Sequence, residues 1–191
     1  ESRVKTMQAS VDRVRALIGM GGDNLLPEAI QVEKDSPDGE ALSKRRGEIF
    51  NERYLATVNP FAGTRDMVKR MRAEGLEIAI GTSAHKKDLK PLLEIAEVAD
   101  LVDSKTSADD AENSKPDPDI IQAALSRMKL SPAEVLMVGD TPYDIEAAAR
   151  AGVRTVAFRS GGWTDAGLMG AIAVYAGPWD LLDRFASSPF A

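Results

Sequence analysis

The sequence predicts an α/β fold in which a parallel sheet carries helices on both faces, preceded by a smaller helical region. Two observations lead to this prediction. From about residue 58 onward, short apolar segments alternate with stretches of helical spacing, which is typical of repeated β-α-β units. Before that point the apolar residues keep helical spacing and no strand is predicted. We therefore expect two domains, residues 1–57 and residues 58–191.

The region 1–57 is predicted to be entirely helical. Apolar residues at helical spacing predict a first helix around residues 11–18. The stretch GMGG at 19–22 ends that pattern, and KDSPDGE at 34–40 has the composition of a loop. A short second helix is expected between these two stretches. A longer third helix is expected to follow, to about Leu55.

The region 58–191 is predicted to contain five strands. One of them is a run of apolar residues without alternation, which is expected of a parallel strand buried on both faces. That strand is residues 135–138, and the other predicted strands are residues 77–80, 101–103, 154–158 and 172–175.

Start signals for helices separate these strands. Thr64 is expected to cap one helix, and the stretch SPAE at 131–134 has the pattern of a capping box with proline at the first helical position. Thr141, Pro142 and Asp144 form the same pattern directly after the strand at 135–138. We therefore expect a helix over residues 142–151.

Composition excludes several classes of function. The net charge of −6 argues against a nucleic-acid surface, and no apolar stretch approaches the roughly 20 residues of a membrane span. No signal peptide opens the sequence, and the absence of cysteine makes a cytoplasmic location the default. The single histidine, His85, rules out a multi-histidine metal site and is expected in the first turn of a helix. Carboxylates, hydroxyls and lysines must therefore carry any chemistry.

Polar residues occur in three loops that follow or lie between predicted strands. Thr82 and Ser83 are expected at a helix start, where hydroxyls and backbone N–H groups can bind phosphate. Lys115 can neutralise phosphate oxygens, and Asp140 with Asp144 suits a hard cation such as Mg²⁺. Each of these features alone has an ordinary explanation as a helix cap or a solvated charge. Together, in this order, they indicate a site for phosphoryl chemistry.

The same segments resemble three of the four motifs of the haloacid dehalogenase superfamily, in the branch that includes phosphoglycolate phosphatase and β-phosphoglucomutase. The matching segments are IAIGTS with Thr82, SKPDPD with Lys115, and VGDTPYD with Asp140 and Asp144. The resemblance covers nearly the whole chain. It implies a Rossmann-like core and a helical cap domain, the latter formed by residues 1–57.

The resemblance also implies roles for the core residues. Asp140 is expected to bind Mg²⁺, and Asp144 to bind a metal-bound water or the metal itself while it caps its helix. Thr82 would donate a hydrogen bond to a phosphoryl oxygen, with Ser83 beside it in the substrate site. Lys115 would offset phosphate charge and orient the nucleophile. Thr82, Lys115 and Asp140 are thus the expected catalytic residues.

The helical region resembles the family's cap, whose substrate-facing loop corresponds to the segment RALIGMGGDNLLPEA. Gly19, Met20 and Gly21 are the expected substrate-binding residues of that loop, because glycines allow close approach of the backbone to a ligand. A cap over the site favours a small phosphorylated metabolite as substrate. The reaction implied is Mg²⁺-dependent hydrolysis of a small phosphomonoester through an aspartyl-phosphate.

One family motif has no counterpart in this sequence. The family's first motif is an apolar strand ending in Asp-x-Asp, which supplies the nucleophile and the general acid/base, whereas this chain opens with the polar stretch ESRVKTMQAS. In the family that strand lies between the strands preceding Thr82 and Asp140, so we expect a gap at this place in the sheet. The alternatives are a non-catalytic protein that binds a phosphorylated ligand or regulates, and, among enzymes, a phosphomutase.

Overall fold

The computed structural model describes residues 13–191 of the chain, which separates into two compact units, Glu1–Val58 and Asn59–Ala191. The start of the first predicted helix, at residues 11 and 12, lies outside the described residues. Residues 13–16 are helical. None of the helices in the described part of the chain is both long and apolar enough to cross a membrane.

The described residues of the first unit form helices joined by turns and short irregular segments. Helix α1 spans Gly22–Ile30 and helix α2 spans Pro37–Ile49, after which a π-helical turn and a short 3₁₀ turn lead to residue 57. The loop predicted at 34–40 ends earlier than expected, because Ser36 caps α2: its Oγ accepts a hydrogen bond of 3.1 Å from the Gly39 backbone N–H. Proline at the first position of α2 is favourable there, since its missing N–H has no intrahelical partner in any case.

The second unit alternates helices and strands along the chain. Its helices are α3 (Thr64–Ala73), α4 (Lys86–Ile95), α5 (Asp119–Met128), α6 (Pro142–Arg150) and α7 (Pro178–Asp183). Its strands are β1 (Ala79–Gly81), β2 (Ser104–Thr106), β3 (Leu136–Gly139), β4 (Arg154–Phe158) and β5 (Ala173–Tyr175).

All the strand pairs are parallel, but the strands form two hydrogen-bonded groups rather than one. Strand β1 pairs with β2, and strands β3, β4 and β5 pair in that order. Within the described part of the chain, no ladder joins β1 to β3.

The two groups nevertheless share a hydrophobic core. Ile80 of β1 packs in the same cluster as Val138 of β3 and Val156 of β4, together with residues of α3, α4 and α7. Met137, the neighbour of Val138 in β3, packs in a second cluster with Ile120 of α5 and with α6. Since successive strand residues point to opposite faces, helices cover both faces of the sheet, and the predicted fold class is confirmed.

The predicted strand at 101–103 is wrong in position, because β2 begins three residues later, at Ser104. Residues 101–103 make the turn that enters the strand: the Leu101 N–H donates to the Val98 carbonyl, and the Asp103 carboxylate accepts from the Ile78 N–H at 2.8 Å. Strand β4 has the predicted limits. The other three strands begin one or two residues later than predicted.

Strand β3 is less buried than its apolar sequence predicts. All four of its residues are only partly buried, whereas four of the five residues of β4 are fully buried. The difference follows from pairing, since β4 has a hydrogen-bonded neighbour on each side and β3 has one. Among the described residues, one edge of β3 therefore has no hydrogen-bonded neighbour.

Two predicted helix starts differ from expectation. Gly63, not Thr64, is the N-cap of α3, and the Thr64 hydroxyl instead donates 2.7 Å back to the Phe61 carbonyl. The stretch SPAE does form a capping box, but it closes a single 3₁₀ turn, Pro132–Glu134, before β3. Ser131 Oγ donates to the Glu134 carboxylate at 2.6 Å in this turn.

Candidate active site

The carboxyl ends of the parallel strands place the polar loops at one edge of the second unit. The loops follow Gly81 of β1, Thr106 of β2, Gly139 of β3 and Phe158 of β4. Open α/β sheets bind their ligands at this edge, because the strands end there and loops and helix N-termini begin. The loops after β2 and β3 are joined directly by a hydrogen-bonded ion pair.

Asp144 is the centre of the hydrogen bonds after β3. Its Oδ2 accepts from the backbone N–H groups of Asp140 and Thr141, both at 3.0 Å, and from the Thr141 hydroxyl at 2.8 Å. The Asp144 backbone N–H in turn donates to Thr141 Oγ1 at 3.3 Å. The predicted capping box at the start of α6 is therefore present, and it fixes the backbone of Asp140 as well.

Lys115 occupies the other oxygen of Asp144. Its Nζ lies 2.6 Å from Asp144 Oδ1, and the two side chains are only 13% and 5% exposed. Desolvated charges of opposite sign attract strongly, so this contact fixes where the lysine ammonium sits. Both oxygens of Asp144 accept from donors of the protein, so Asp144 positions its neighbours, and its predicted contact with a metal stays a prediction.

Asp140 has a different environment from Asp144. Burial raises the pKa of the Asp140 carboxyl, the nearby Asp144 charge raises it further, and Lys115 acts in the opposite direction. No other residue of the described chain donates a hydrogen bond to its carboxylate. Asp140 is therefore a partly desolvated carboxylate that accepts from no other residue of the described chain, and a cation would stabilise it.

The residues present fit one carboxylate ligand of a divalent cation. Mg²⁺ is usually held by one or two carboxylates, with waters and substrate phosphate oxygens completing its shell. Between residues 13 and 191 no three His, Asp or Glu side chains gather into a full ligand set. Asp140 can thus hold such an ion only together with water, phosphate or groups that these residues do not supply.

Thr82 and Ser83 follow β1, but not at a helix start. Helix α4 begins at Lys86 with His85 as its N-cap, so the predicted helix start at these residues is wrong. The Thr82 N–H donates 3.0 Å to the Thr106 carbonyl and is not available to a phosphate. The hydroxyls differ: Thr82 Oγ1 accepts from the Ala84 N–H at 3.1 Å, and buried Ser83 Oγ has no partner in the described chain.

His85 pairs with an aspartate from the loop after β2. Its Nδ1 lies 3.0 Å from Asp109 Oδ1, and the other Asp109 oxygen accepts from the Lys86 N–H at 2.9 Å. The His85 side chain is 65% exposed. Asp109 thereby ties the start of α4 to the loop after β2, a role in structure rather than in chemistry.

Replacing His85 with glutamine is expected to change the turnover number of the active protein by less than about tenfold. The exposed ring has no contact with Lys115, Asp140 or Asp144, and loss of a general base would cost about 10²–10⁴-fold. Steady-state kinetics of the two proteins measures the difference. A fall of a hundredfold or more would place His85 in the chemistry.

The residues predicted in the cap lie in the first unit. Gly19 has a φ of 110°, which favours glycine, and the Met20 N–H closes a turn on the Leu17 carbonyl at 3.1 Å. Gly21 is the N-cap of α1, and its carbonyl accepts from the Leu25 N–H at 2.9 Å. Their predicted contact with substrate stays a prediction.

The structure brings together three of the predicted core residues, Lys115, Asp140 and Asp144. No hydrogen bond in the described chain joins Thr82 or Ser83 to them. Sequence reasoning missed Gly161, whose backbone lies against Asp140. Two consecutive glycines, at 161 and 162, closely follow the predicted strand 154–158 and were the signal that could have identified it.

Comparison with known proteins identifies the family. Residues 2–158 match the family model of the haloacid dehalogenase-like hydrolases, which is most of the chain. The chain therefore belongs to this family, as its motifs predict. Its relatives in the family are hydrolases that include phosphatases.

Two curated relatives and one solved structure are similar along most of the chain. A phosphoglycolate phosphatase from Nitrosospira multiformis is 28% identical over 146 residues, 74% of this chain and 64% of that protein. An N-acetylmuramic acid 6-phosphate phosphatase from Pseudomonas aeruginosa is 27% identical over 149 residues, 78% of this chain and 66% of that protein. The crystal structure of a hydrolase from Pseudomonas syringae superposes with a TM-score of 0.82 at 27% identity, covering 92% of this chain and 82% of that one. The chain spans less than two thirds of the length of these curated relatives.

Proposed function

We propose that the protein is a Mg²⁺-dependent phosphatase that hydrolyses a small phosphomonoester through an aspartyl-phosphate. The observation that carries this proposal is the buried group of Lys115, Asp144 and Asp140 at the carboxyl ends of parallel strands. A fixed ammonium beside a carboxylate that accepts from no other described residue is suited to hold a phosphoryl group and its cation together.

Each of these residues has a distinct task in the proposed reaction. Lys115 offsets charge on the phosphoryl oxygens, and Asp144 holds its ammonium in place. Asp140 provides the carboxylate for the cation, and the Thr82 hydroxyl donates to a phosphoryl oxygen. Mg²⁺, when bound, neutralises negative charge that develops on the phosphoryl group.

The nucleophile would come from a strand that the described residues do not provide. We place this strand between β1 and β3, because the two share a core but no hydrogen bonds. An aspartate at its carboxyl end would attack phosphorus, the bond to the leaving alcohol would break, and water would then hydrolyse the acyl-phosphate. A segment outside the described residues or a partner chain could supply this strand.

We assign residues 1–57 as the cap domain and residues 58–191 as the core. Gly19, Met20 and Gly21 are the proposed cap contacts with substrate, since glycine at 19 and 21 leaves room for a ligand. The substrate is a small phosphorylated metabolite of the phosphoglycolate or sugar-phosphate type, as the names of the relatives indicate. We propose that the protein is located in the cytoplasm, because its sequence contains no cysteine.

The test is phosphate release by the full-length protein from phosphoglycolate, N-acetylmuramic acid 6-phosphate and simple hexose phosphates. Each substrate is assayed with Mg²⁺ and again with an excess of chelator. We expect Mg²⁺-dependent release from at least one of them. A Lys115→Met protein tested in parallel should lose most of this activity.

The other outcomes separate the alternatives. An isomerised sugar phosphate without net phosphate release would identify a phosphomutase. Binding of phosphorylated ligands without turnover, in a protein whose β1 and β3 are directly paired, would favour the non-catalytic regulatory protein.

A further inference from the structure

The loop after β4, residues 159–163, lies over the backbone of Asp140. Strands β3 and β4 are parallel with Gly139 opposite Ala157, so the segments that follow them leave the same edge side by side. After β4 the chain makes a 3₁₀ turn, Arg159–Gly161, closed by a 2.9 Å hydrogen bond from the Gly162 N–H to the Arg159 carbonyl.

Gly161 touches Asp140 so closely that no side chain fits between them. A Cβ built on Gly161 would lie 2.2 Å from the Asp140 carbonyl oxygen and 2.9 Å from the Asp140 Cβ. Both distances are far below van der Waals contact, so any other residue at 161 must displace either the loop or Asp140.

Packing of Trp163 and Leu168 in one hydrophobic cluster holds the loop after Gly161, so a side chain at 161 would press on Asp140. Arg159 forms two hydrogen bonds with Asp165, at 2.6 and 3.0 Å. Leu168 is 1% exposed, and the Trp163 ring meets Tyr143 edge-on with 6.4 Å between the ring centroids. The packing contacts hold the loop after Gly161, and the exposed pair of Arg159 and Asp165 adds little.

We propose that Gly161 is a positioning residue for the cation site, because its bare backbone sets the place of Asp140. This inference rests on the proposed function, in which Asp140 is the cation ligand. The capping box fixes Asp140 from the α6 side through its N–H, and Gly161 fixes it from the β4 side through its carbonyl and Cβ. Groups that orient a metal ligand typically contribute about 10–100-fold to metal affinity.

The test compares Gly161→Ala with Gly162→Ala in the full-length protein. Gly162 has a φ of 84°, so alanine there strains the same loop, but nothing lies within 4 Å of its added methyl group. Calorimetric titration with Mg²⁺ alone gives the dissociation constant, urea unfolding gives stability, and NMR gives the Asp140 amide shift. We expect Gly161→Ala to weaken Mg²⁺ binding at least tenfold and to move the Asp140 amide. Gly162→Ala should lower the stability of the protein but leave its Mg²⁺ affinity within about twofold of the wild-type value.

Equal effects of the two variants on Mg²⁺ affinity would overturn the inference, since general loosening of the loop would then explain both. If Gly161→Ala does not fold, Trp163→Ala replaces it: this removes the packing and the ring contact that hold the loop and should weaken Mg²⁺ binding a few-fold. Unchanged affinity in that variant would also contradict the proposal. Phosphatase activity of the wild-type protein reports separately on the proposed function. A wild-type protein that binds no Mg²⁺ would refute both.

Discussion

Replacement of Asp140 by asparagine is expected to lower phosphatase activity of the full-length protein by more than about a hundredfold. Asparagine keeps the shape of the side chain and the hydrogen bond from residue 140 to the Asp144 carboxylate, but it removes the negative charge that holds the cation. Phosphate release at saturating Mg²⁺ measures the loss. The fold should be intact, because no other residue of the described chain donates to this carboxylate.

The same substitution is expected to raise stability slightly at neutral pH. Burial raises the pKa of Asp140 above its ordinary value of 3.8, so the ionised carboxylate opposes folding. The loss of stability is absent at pH values below 3.8, and it reaches its full size once the pH has risen through the pKa of Asp140 in the folded state. The free energies of unfolding in urea of Asp140→Asn and of the wild-type protein should therefore agree at acidic pH. They should diverge as the pH increases, with the variant the more stable of the two.

Asp117→Asn is the matched control for both measurements. Asp117 lies in the same family motif as Lys115, but its carboxylate pairs with Arg150 at the surface, 3.0 Å away. Surface pairs of this kind contribute little, so activity and stability should both stay near the wild-type values. Full activity of Asp140→Asn would remove Asp140 from the site, and lower stability at neutral pH would contradict the account of its burial.

Replacement of Asp144 by alanine is expected to be among the most destabilising changes in the second unit. It removes the carboxylate that pairs with the largely buried Lys115 ammonium, and it removes the carboxylate half of the capping box of α6. Removing one partner of a buried ion pair costs about 3–5 kcal/mol, and losing a cap costs about 1 kcal/mol. Chemical denaturation measures the sum. Activity of any folded fraction should also fall, because Lys115 is no longer held in place.

A double-mutant cycle separates the pair from the cap. Lys115→Met and Asp144→Asn are measured alone and together, since asparagine can still accept the capping hydrogen bonds. The double variant should lose less stability than the sum of the single variants, by about 0.5–3 kcal/mol. Additive losses would show that the contact between Lys115 and Asp144 contributes no coupling of its own.

The sequence predicts most clearly what depends on neighbouring residues. The capping box of Thr141 and Asp144 is present as expected, because a hydroxyl and a carboxylate three positions apart determine it locally. The limits of β4 are also confirmed. The parallel sheet is predicted from the alternation of apolar and helical segments. This prediction holds even when the strand ends are misplaced by a few residues.

Contacts between residues far apart in the sequence could not be predicted from these local patterns. Asp144, the partner of Lys115, lies 29 positions away in the sequence. The sequence alone therefore gives no indication that Lys115 occupies an oxygen of Asp144 that was expected to face a metal. Gly161 meets Asp140 only because β3 and β4 pair in register. The start of β2 depended on the Asp103 carboxylate accepting from Ile78, a contact across 25 positions.

The central claim is that a further strand lies between β1 and β3 and completes the sheet and its site. Hydrogen exchange of the full-length protein, followed by NMR, tests this claim most directly. The relevant amides are those of β1 and β3 that face away from β2 and β4. With a strand paired to both, they should exchange as slowly as the amides of β4, which has neighbours on each side. Exchange as fast as that of exposed loops, or slow exchange with β1 and β3 hydrogen-bonded directly to each other, would contradict the claim.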